Sequence, residues 1–305
     1  MNWIDYKAPI EEISHPLLNE KKITLSILRE DLIHETISGN KYRKLKYNIL
    51  KAKELGYKKI LTFGGAFSNH IAATAVAAKL NNLEVLGFIR GEEIKDLVDD
   101  NVTLGFAKAK GMDFKFISRE EYRLKDTPQF LEQLKINYPD YYVIPEGGTN
   151  NLAIKGCEEI LYTDCNNYDY VASAIGTAGT ITGLINSAKK NQHIIGFPAL
   201  KGDFFSEEIC KLTDRKNFTI INKYHFGGYG KINDELIDFI NSFKKHTKIQ
   251  LDPIYTGKMV FGIFDLIKED FFKENSKILA VHTGGLQGID GINKILIKKN
   301  KTTIQ

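Results

Sequence analysis

A chain of 305 residues, 43% of them hydrophobic, can bury a sizeable core and is long enough for two lobes around a cleft. Its formal charge of +4 comes from 42 basic and 38 acidic residues at scattered positions, the pattern of a solvated surface and not of a nucleic-acid face. Cys157, Cys165 and Cys210 lack C-x-x-C pairing and nearby histidine ligands, so no metal site and no disulfide framework is expected, and all three read as structural thiols in a reducing compartment.

Asp5 stands where a signal peptide would carry a basic and then apolar run, and no apolar stretch nears the roughly 20 residues that cross a bilayer. A cytoplasmic protein without a membrane or nucleic-acid partner is the expectation. Along the chain, Ser38-Gly39-Asn40 suits a turn, and the helical pattern after it begins with Lys41. At a helix start the dipole, together with a nearby cation such as Arg43 or Lys44, favours the neutral amine, the form that attacks an aldehyde. A solvated ammonium is the alternative reading.

Lys59 to Phe63 predicts a strand that runs into Gly64-Gly65, and Ser68 precedes the alanine-rich helix Ile71 to Leu80. Leu83 to Ile89, Lys115 to Ile117 and Tyr141 to Ile144 predict further strands, the last followed by Gly147-Gly148-Thr149. Tyr170 to Ile175 predicts a strand that leads into Gly176-Thr177-Ala178-Gly179-Thr180 and then a helix over Ile181 to Ala188. Small residues there let backbone N–H groups converge on an anion at a helix N-terminus. The loop lacks both the P-loop ending and the dinucleotide spacing, so it suits one phosphate monoester; a plain strand-to-helix turn is the other reading.

Ile194 to Phe197 predicts a strand, residues 217 to 250 read as a loop with close backbone contacts around Tyr224 to Gly230, and Lys277 to His282 predicts a last strand before Thr283-Gly284-Gly285. Alternating strands and helices imply an α/β fold with parallel sheets covered on both faces, and the glycine clusters then gather at one sheet edge, where ligands bind.

These segments resemble the D-cysteine desulfhydrase and 1-aminocyclopropane-1-carboxylate (ACC) deaminase family of pyridoxal-phosphate (PLP) enzymes. The likeness runs from Arg29-Glu30-Asp31 through Gly39 to Leu45, Gly64 to His70, Ile144 to Thr149, Gly176 to Thr180, Leu251 to Lys258 and His282 to Gly285. It implies a two-lobed, three-layer α/β/α enzyme of fold type II, like the tryptophan synthase β subunit, and a homodimer. Residues 1–44 with 151–305 would form the larger, PLP-binding domain and 45–150 the smaller one.

The resemblance also implies roles. Lys41 would hold PLP through its aldehyde and shuttle the Cα proton, and Ser68 and Tyr255 would face the substrate. Asn69 would meet the phenolic oxygen, Gly176, Thr177, Ala178, Gly179 and Thr180 the phosphate, and Thr283 the pyridine nitrogen. Taken alone, Ser68 could be only a helix cap, Asn69 a turn residue and Tyr255 a buried aromatic, while His70 reads equally as a packed imidazole or a residue of the site rim.

Three places depart from the family pattern: Ala66-Phe67 where Ile-Gln is usual, Asn150 to Ala153 where Pro-Leu-Gly follows the threonine, and Ile292 where a tyrosine is expected. The implied activity is elimination from a small amino acid, foremost D-cysteine to pyruvate, sulfide and ammonia. ACC deamination, action on another β-substituted amino acid such as cysteate, and PLP binding without turnover are the alternatives. The Leu251 to Lys258 block points away from a β-replacement synthase. With Ile292 lacking a hydroxyl, ring opening of ACC is expected to suffer more than loss of thiolate.

Overall fold

The computed structural model describes residues 3–305. Its strands are β1 (Ile10–Glu12), β2 (Thr24–Leu28), β3 (Lys59–Gly64), β4 (Glu84–Arg90), β5 (Met112–Ile117), β6 (Tyr141–Ile144), β7 (Tyr170–Ile175), β8 (His193–Pro198), β9 (Phe218–Ile220) and β10 (Lys277–Val281). They form a six-stranded sheet in the order β1-β2-β10-β7-β8-β9 and a four-stranded sheet in the order β5-β4-β3-β6. Every neighbouring pair is parallel except β1 with β2.

Both sheets are covered on both faces, as parallel sheets require. In β10, Ile278 and Ala280 enter one apolar cluster while Leu279 and Val281 enter another on the opposite face, the two-residue period of a strand read directly as two cores. In the smaller sheet, Ile60 and Val85 lie on one face and Leu61, Phe63 and Phe88 on the other. This is the three-layer α/β/α arrangement that the sequence implies.

Because neighbouring strands run parallel, their C-terminal ends line up along one edge of each sheet, and four of them carry the glycine-rich turns: residues 64–68 after β3, 146–149 after β6, 176–179 after β7 and 282–285 after β10. The helix Asn40–Glu54 enters the same edge at its N-terminus. The larger sheet's strands come from both ends of the chain, whereas all strands of the smaller one lie between Lys59 and Ile144.

Three strands were not expected: β1, β2 and β9. The reading of 217 to 250 as one loop also needs correction, since it contains β9 and the helix Asp234–Thr247, leaving a loop only around 225–233. That helix buries Leu236, Ile237, Ile240 and Phe243 on one face and packs them against the larger sheet's core, with its charged residues on the other.

Candidate active site

Lys41 is the second residue of the helix Asn40–Glu54, whose N-cap is Gly39 at φ +60°. A Cβ at Gly39 would stand 1.9 Å from the carbonyl oxygen of Thr283, so both the backbone angle and the close approach demand glycine. Asn40 completes the junction: its N–H donates to Thr283 O at 3.3 Å and its amide to Thr180 Oγ1 at 2.8 Å. The lysine is thereby fixed between the turn after β10 and the turn after β7.

Burial, then the charge of Lys44, lowers the Lys41 amine to about 7. Lys44, one turn along the helix, is itself brought down to about 8 by burial. Arg43, expected as a second cation beside Lys41, points elsewhere: fully buried, it donates from Nε and Nη2 to both oxygens of Glu30, at 3.0 and 2.8 Å.

Lys41, Ser68, Asn69, Gly176, Thr177, Thr180, Tyr255 and Thr283 line one cavity of about 630 Å³ between the two sheets. Ala178 and Gly179 belong to the same loop but lie behind its wall. Ser68 serves as the N-cap of the helix Asn69–Leu80, accepting from Ile71 N at 3.4 Å, and lines the cavity as well, so its two readings are compatible. His70 is 2% exposed and bonds Thr62 Oγ1 at 2.7 Å. Burial and the charges of Lys41 and Lys44 hold its pKa far below the usual histidine value, which makes it a neutral, packed imidazole that also borders the cavity.

Residues with no role in binding or catalysis expected from the sequence also line the cavity, among them Arg90, Arg119, Glu146, Lys44 and Tyr229. The Lys44 ammonium donates to Gly147 O, Thr149 Oγ1 and Thr177 Oγ1 at 3.2, 3.1 and 2.9 Å, placing a cation against the loop after β7. Tyr229 meets Tyr255 edge-on with ring centroids 6.1 Å apart, and burial raises both phenols, with Tyr255 raised further by the neighbouring Tyr229. Nothing local in the sequence marks Lys44 as a partner of that loop. The cue for Tyr229 is the glycine setting Gly227-Gly228-Tyr229-Gly230, which holds a side chain on a tight turn.

The expectation that Ile292 leaves the site with a single tyrosine hydroxyl is therefore corrected. Ile292 lies in the helix Ile289–Lys298 and packs partly buried on the main core, away from the cavity wall, while Tyr229 supplies the second hydroxyl. The departure at Phe67 falls nearby: its ring lies 3.6 Å from where a Cβ on Gly291 would be.

A phosphorylated aldehyde fits this donor set. The helix Gly179–Ser187 has no side-chain cap, because Ala178 occupies the N-cap position, so its first-turn N–H groups are left for an external acceptor. Lys44 adds a charge beside that acceptor, and Lys41 offers an amine near neutrality. A second hollow, of about 650 Å³ beside Asp169, His193 and Lys273, lies at the opposite, N-terminal ends of β7, β8 and β10 and contains no such set.

A family profile described as "Pyridoxal-phosphate dependent enzyme" matches residues 8–284. This chain belongs to that family. The PLP-dependent chain is 31% identical to a putative 1-aminocyclopropane-1-carboxylate deaminase of Pyrococcus abyssi (strain GE5 / Orsay), covering 94% of this chain and 91% of that protein. It is 29% identical to the mitochondrial bifunctional D-cysteine desulfhydrase/1-aminocyclopropane-1-carboxylate deaminase of Arabidopsis thaliana, over 87% and 73% of the two. The crystal structure of an ACC deaminase homologue superposes on this PLP enzyme with a TM-score of 0.79 at 28% identity, over 96% and 94% of the chains. A processed threonine deaminase isoform 2 from Solanum lycopersicum shares the fold, with a TM-score of 0.68 at 16% identity. Among the described residues no helix is long and apolar enough to cross a membrane.

Proposed function

We propose that this PLP enzyme eliminates the β substituent of a small amino acid, after which water releases the amino group, so that D-cysteine and water give pyruvate, sulfide and ammonia. What supports the reading is one cavity that joins a near-neutral lysine, an uncapped helix N-terminus backed by Lys44, and a pair of tyrosine hydroxyls. When bound, PLP supplies an aldehyde for the substrate amine and an electron sink that makes the Cα–H bond acidic.

The chain's own contribution begins with binding. The backbone of 176–180 and the Lys44 ammonium would hold the phosphate, and the Asn69 amide would orient the ring through its phenolic oxygen. Thr283 would place a neutral hydroxyl at the ring nitrogen, which tempers the electron sink and suits elimination. Lys41, released from its link to the cofactor, would take the proton from Cα; its lowered pKa leaves it a free base near neutral pH. Ser68, at a helix N-terminus, would meet the substrate carboxylate. Tyr255 and Tyr229, phenols that are protonated at neutral pH, would face the departing group, where one can donate a proton while the other stabilises the resulting phenolate.

The second reading is ACC deamination, and the Tyr229–Tyr255 pair favours it, since ring opening has no good leaving group and needs such hydroxyls. The test is steady-state kinetics of pyruvate from D-cysteine beside 2-oxobutyrate from ACC. A higher kcat/KM for D-cysteine is expected on leaving-group ability alone, since thiolate departs more readily than a ring carbon; the reverse assigns the site to ACC, and neither keto acid from a yellow holoenzyme leaves a PLP-binding protein without this turnover. The lobe division, 1–44 and 151–305 against 45–150, belongs to the same reading. It is supported by the confinement of the smaller sheet to 59–144, although residue 44 falls inside the helix Asn40–Glu54.

A further inference from the structure

The segment Asp252 to Lys258 has so far given the site one side chain, Tyr255. Its last residue, Lys258, is 2% exposed, and its ammonium donates to the carbonyls of His225 at 2.8 Å and Gly228 at 2.9 Å. No carboxylate lies within ion-pair distance of it among the described residues. An ammonium is costly to remove from water and persists in such a place when it makes charge-assisted bonds to carbonyls. Burial lowers its pKa to about 8, partly offset by Asp252.

Those two carbonyls bracket the turn that carries Tyr229. Phe226, Gly227, Gly228 and Gly230 take φ values of +52°, +93°, +118° and +67°, so the turn is built almost wholly from left-handed backbone. Its own backbone bonds are few: Gly228 N to His225 O at 3.0 Å and Lys231 N to Gly228 O at 3.1 Å. Each of these acceptors is also an acceptor for Lys258, so the ammonium closes the turn from inside.

We propose that Lys258 is the positioning residue for Tyr229: its ammonium clamps the turn 225–231 so that the Tyr229 hydroxyl meets that of Tyr255 in the cavity. This rests on the reading of the two tyrosines as facing the substrate. A single segment then sets both hydroxyls. Asp252 accepts the backbone N–H groups of Ile254, Tyr255 and Thr256 at 2.9, 2.9 and 2.8 Å and fixes Tyr255, and Lys258, three residues after Tyr255, fixes Tyr229.

The experiment labels holoenzyme with 3-fluorotyrosine and identifies the Tyr229 fluorine resonance as the one missing from Tyr229→Phe. Lys258→Met should shift or broaden that resonance while distant tyrosines such as Tyr162 stay in place, and Lys258→Arg, which can still donate to both carbonyls, should restore it. On whichever of D-cysteine and ACC is turned over, Lys258→Met should lower kcat by about 10- to 100-fold with little change in KM. Added to Tyr229→Phe, it should lower kcat no further. A Tyr229 resonance unmoved in folded Lys258→Met, or a full extra loss in the double variant, overturns the proposal. Should Lys258→Met fail to fold, Lys258→Gln is read by the same resonance. If neither substrate is turned over, the functional reading fails and the resonance alone decides the role of Lys258.

Discussion

Lys41 is an amine whose charge is set by what surrounds it. Because its pKa is lowered to about 7, it is mostly protonated below that pH and mostly free base above it. Recombination of apoprotein with PLP should therefore accelerate over the pH unit on either side of about 7 and then level off, followed by absorbance of the bound cofactor. A rate still climbing at about pH 10 would show an ordinary lysine. Borohydride reduction of holoenzyme followed by peptide mapping should mark Lys41 and not Lys44, Lys46 or Lys258. Gly179→Val gives a second test. Its Cβ would lie 3.0 Å from Thr149 Cγ2 and 3.2 Å from Lys44 Nζ, so the cradle must spread and PLP affinity should fall about tenfold or more, a loss of roughly 1.4 kcal/mol in a binding titration.

The helix Asn40–Glu54 holds Lys41 toward the cavity because its other side is anchored by Arg43 and Glu30, both 0% exposed and joined through two hydrogen bonds. Glu30→Leu leaves the guanidinium without its main acceptor and should cost about 3–5 kcal/mol in urea unfolding. Legibility in the sequence follows how local each element's signal is. The helix Asn69–Leu80 and strands β3, β6, β7, β8 and β10 were readable because alanine content or apolar β-branched runs carry the information themselves. β1 and β9 span three residues each, too few for a period to show. The helix Asp234–Thr247 has its cues in place, with Asn233 capping Leu236 N at 3.0 Å, acids in the first turn and bases in the last, but the glycine-rich, aromatic stretch just before it obscured them. Lys44 and Tyr229 were missed for a different reason. What makes them site residues is contact with Thr149 and Thr177 in one case and Tyr255 in the other, all far along the chain.

In the whole molecule, a site assembled from four strand ends ties cofactor binding to stability. PLP that binds only the folded form should raise the unfolding free energy by about 2.7 kcal/mol at a hundred times its Kd, seen as a higher urea midpoint for holoenzyme than for apoprotein. Equal midpoints would mean that PLP does not bind the folded form in preference to the unfolded chain. During synthesis the order of events is constrained as well. Thr24 pairs with Lys277 and Leu28 with Val281, so β2 leaves the ribosome on the order of tens of seconds before its partner exists. Over that interval the edge of β2 that β10 will cover stays unpaired and open to wrong partners, a state that invites chaperone protection. The smaller sheet, complete by Ile144, meets no such delay. Nascent chains halted before residue 277 should thus protect 59–144 from protease while leaving the first 30 residues cleavable.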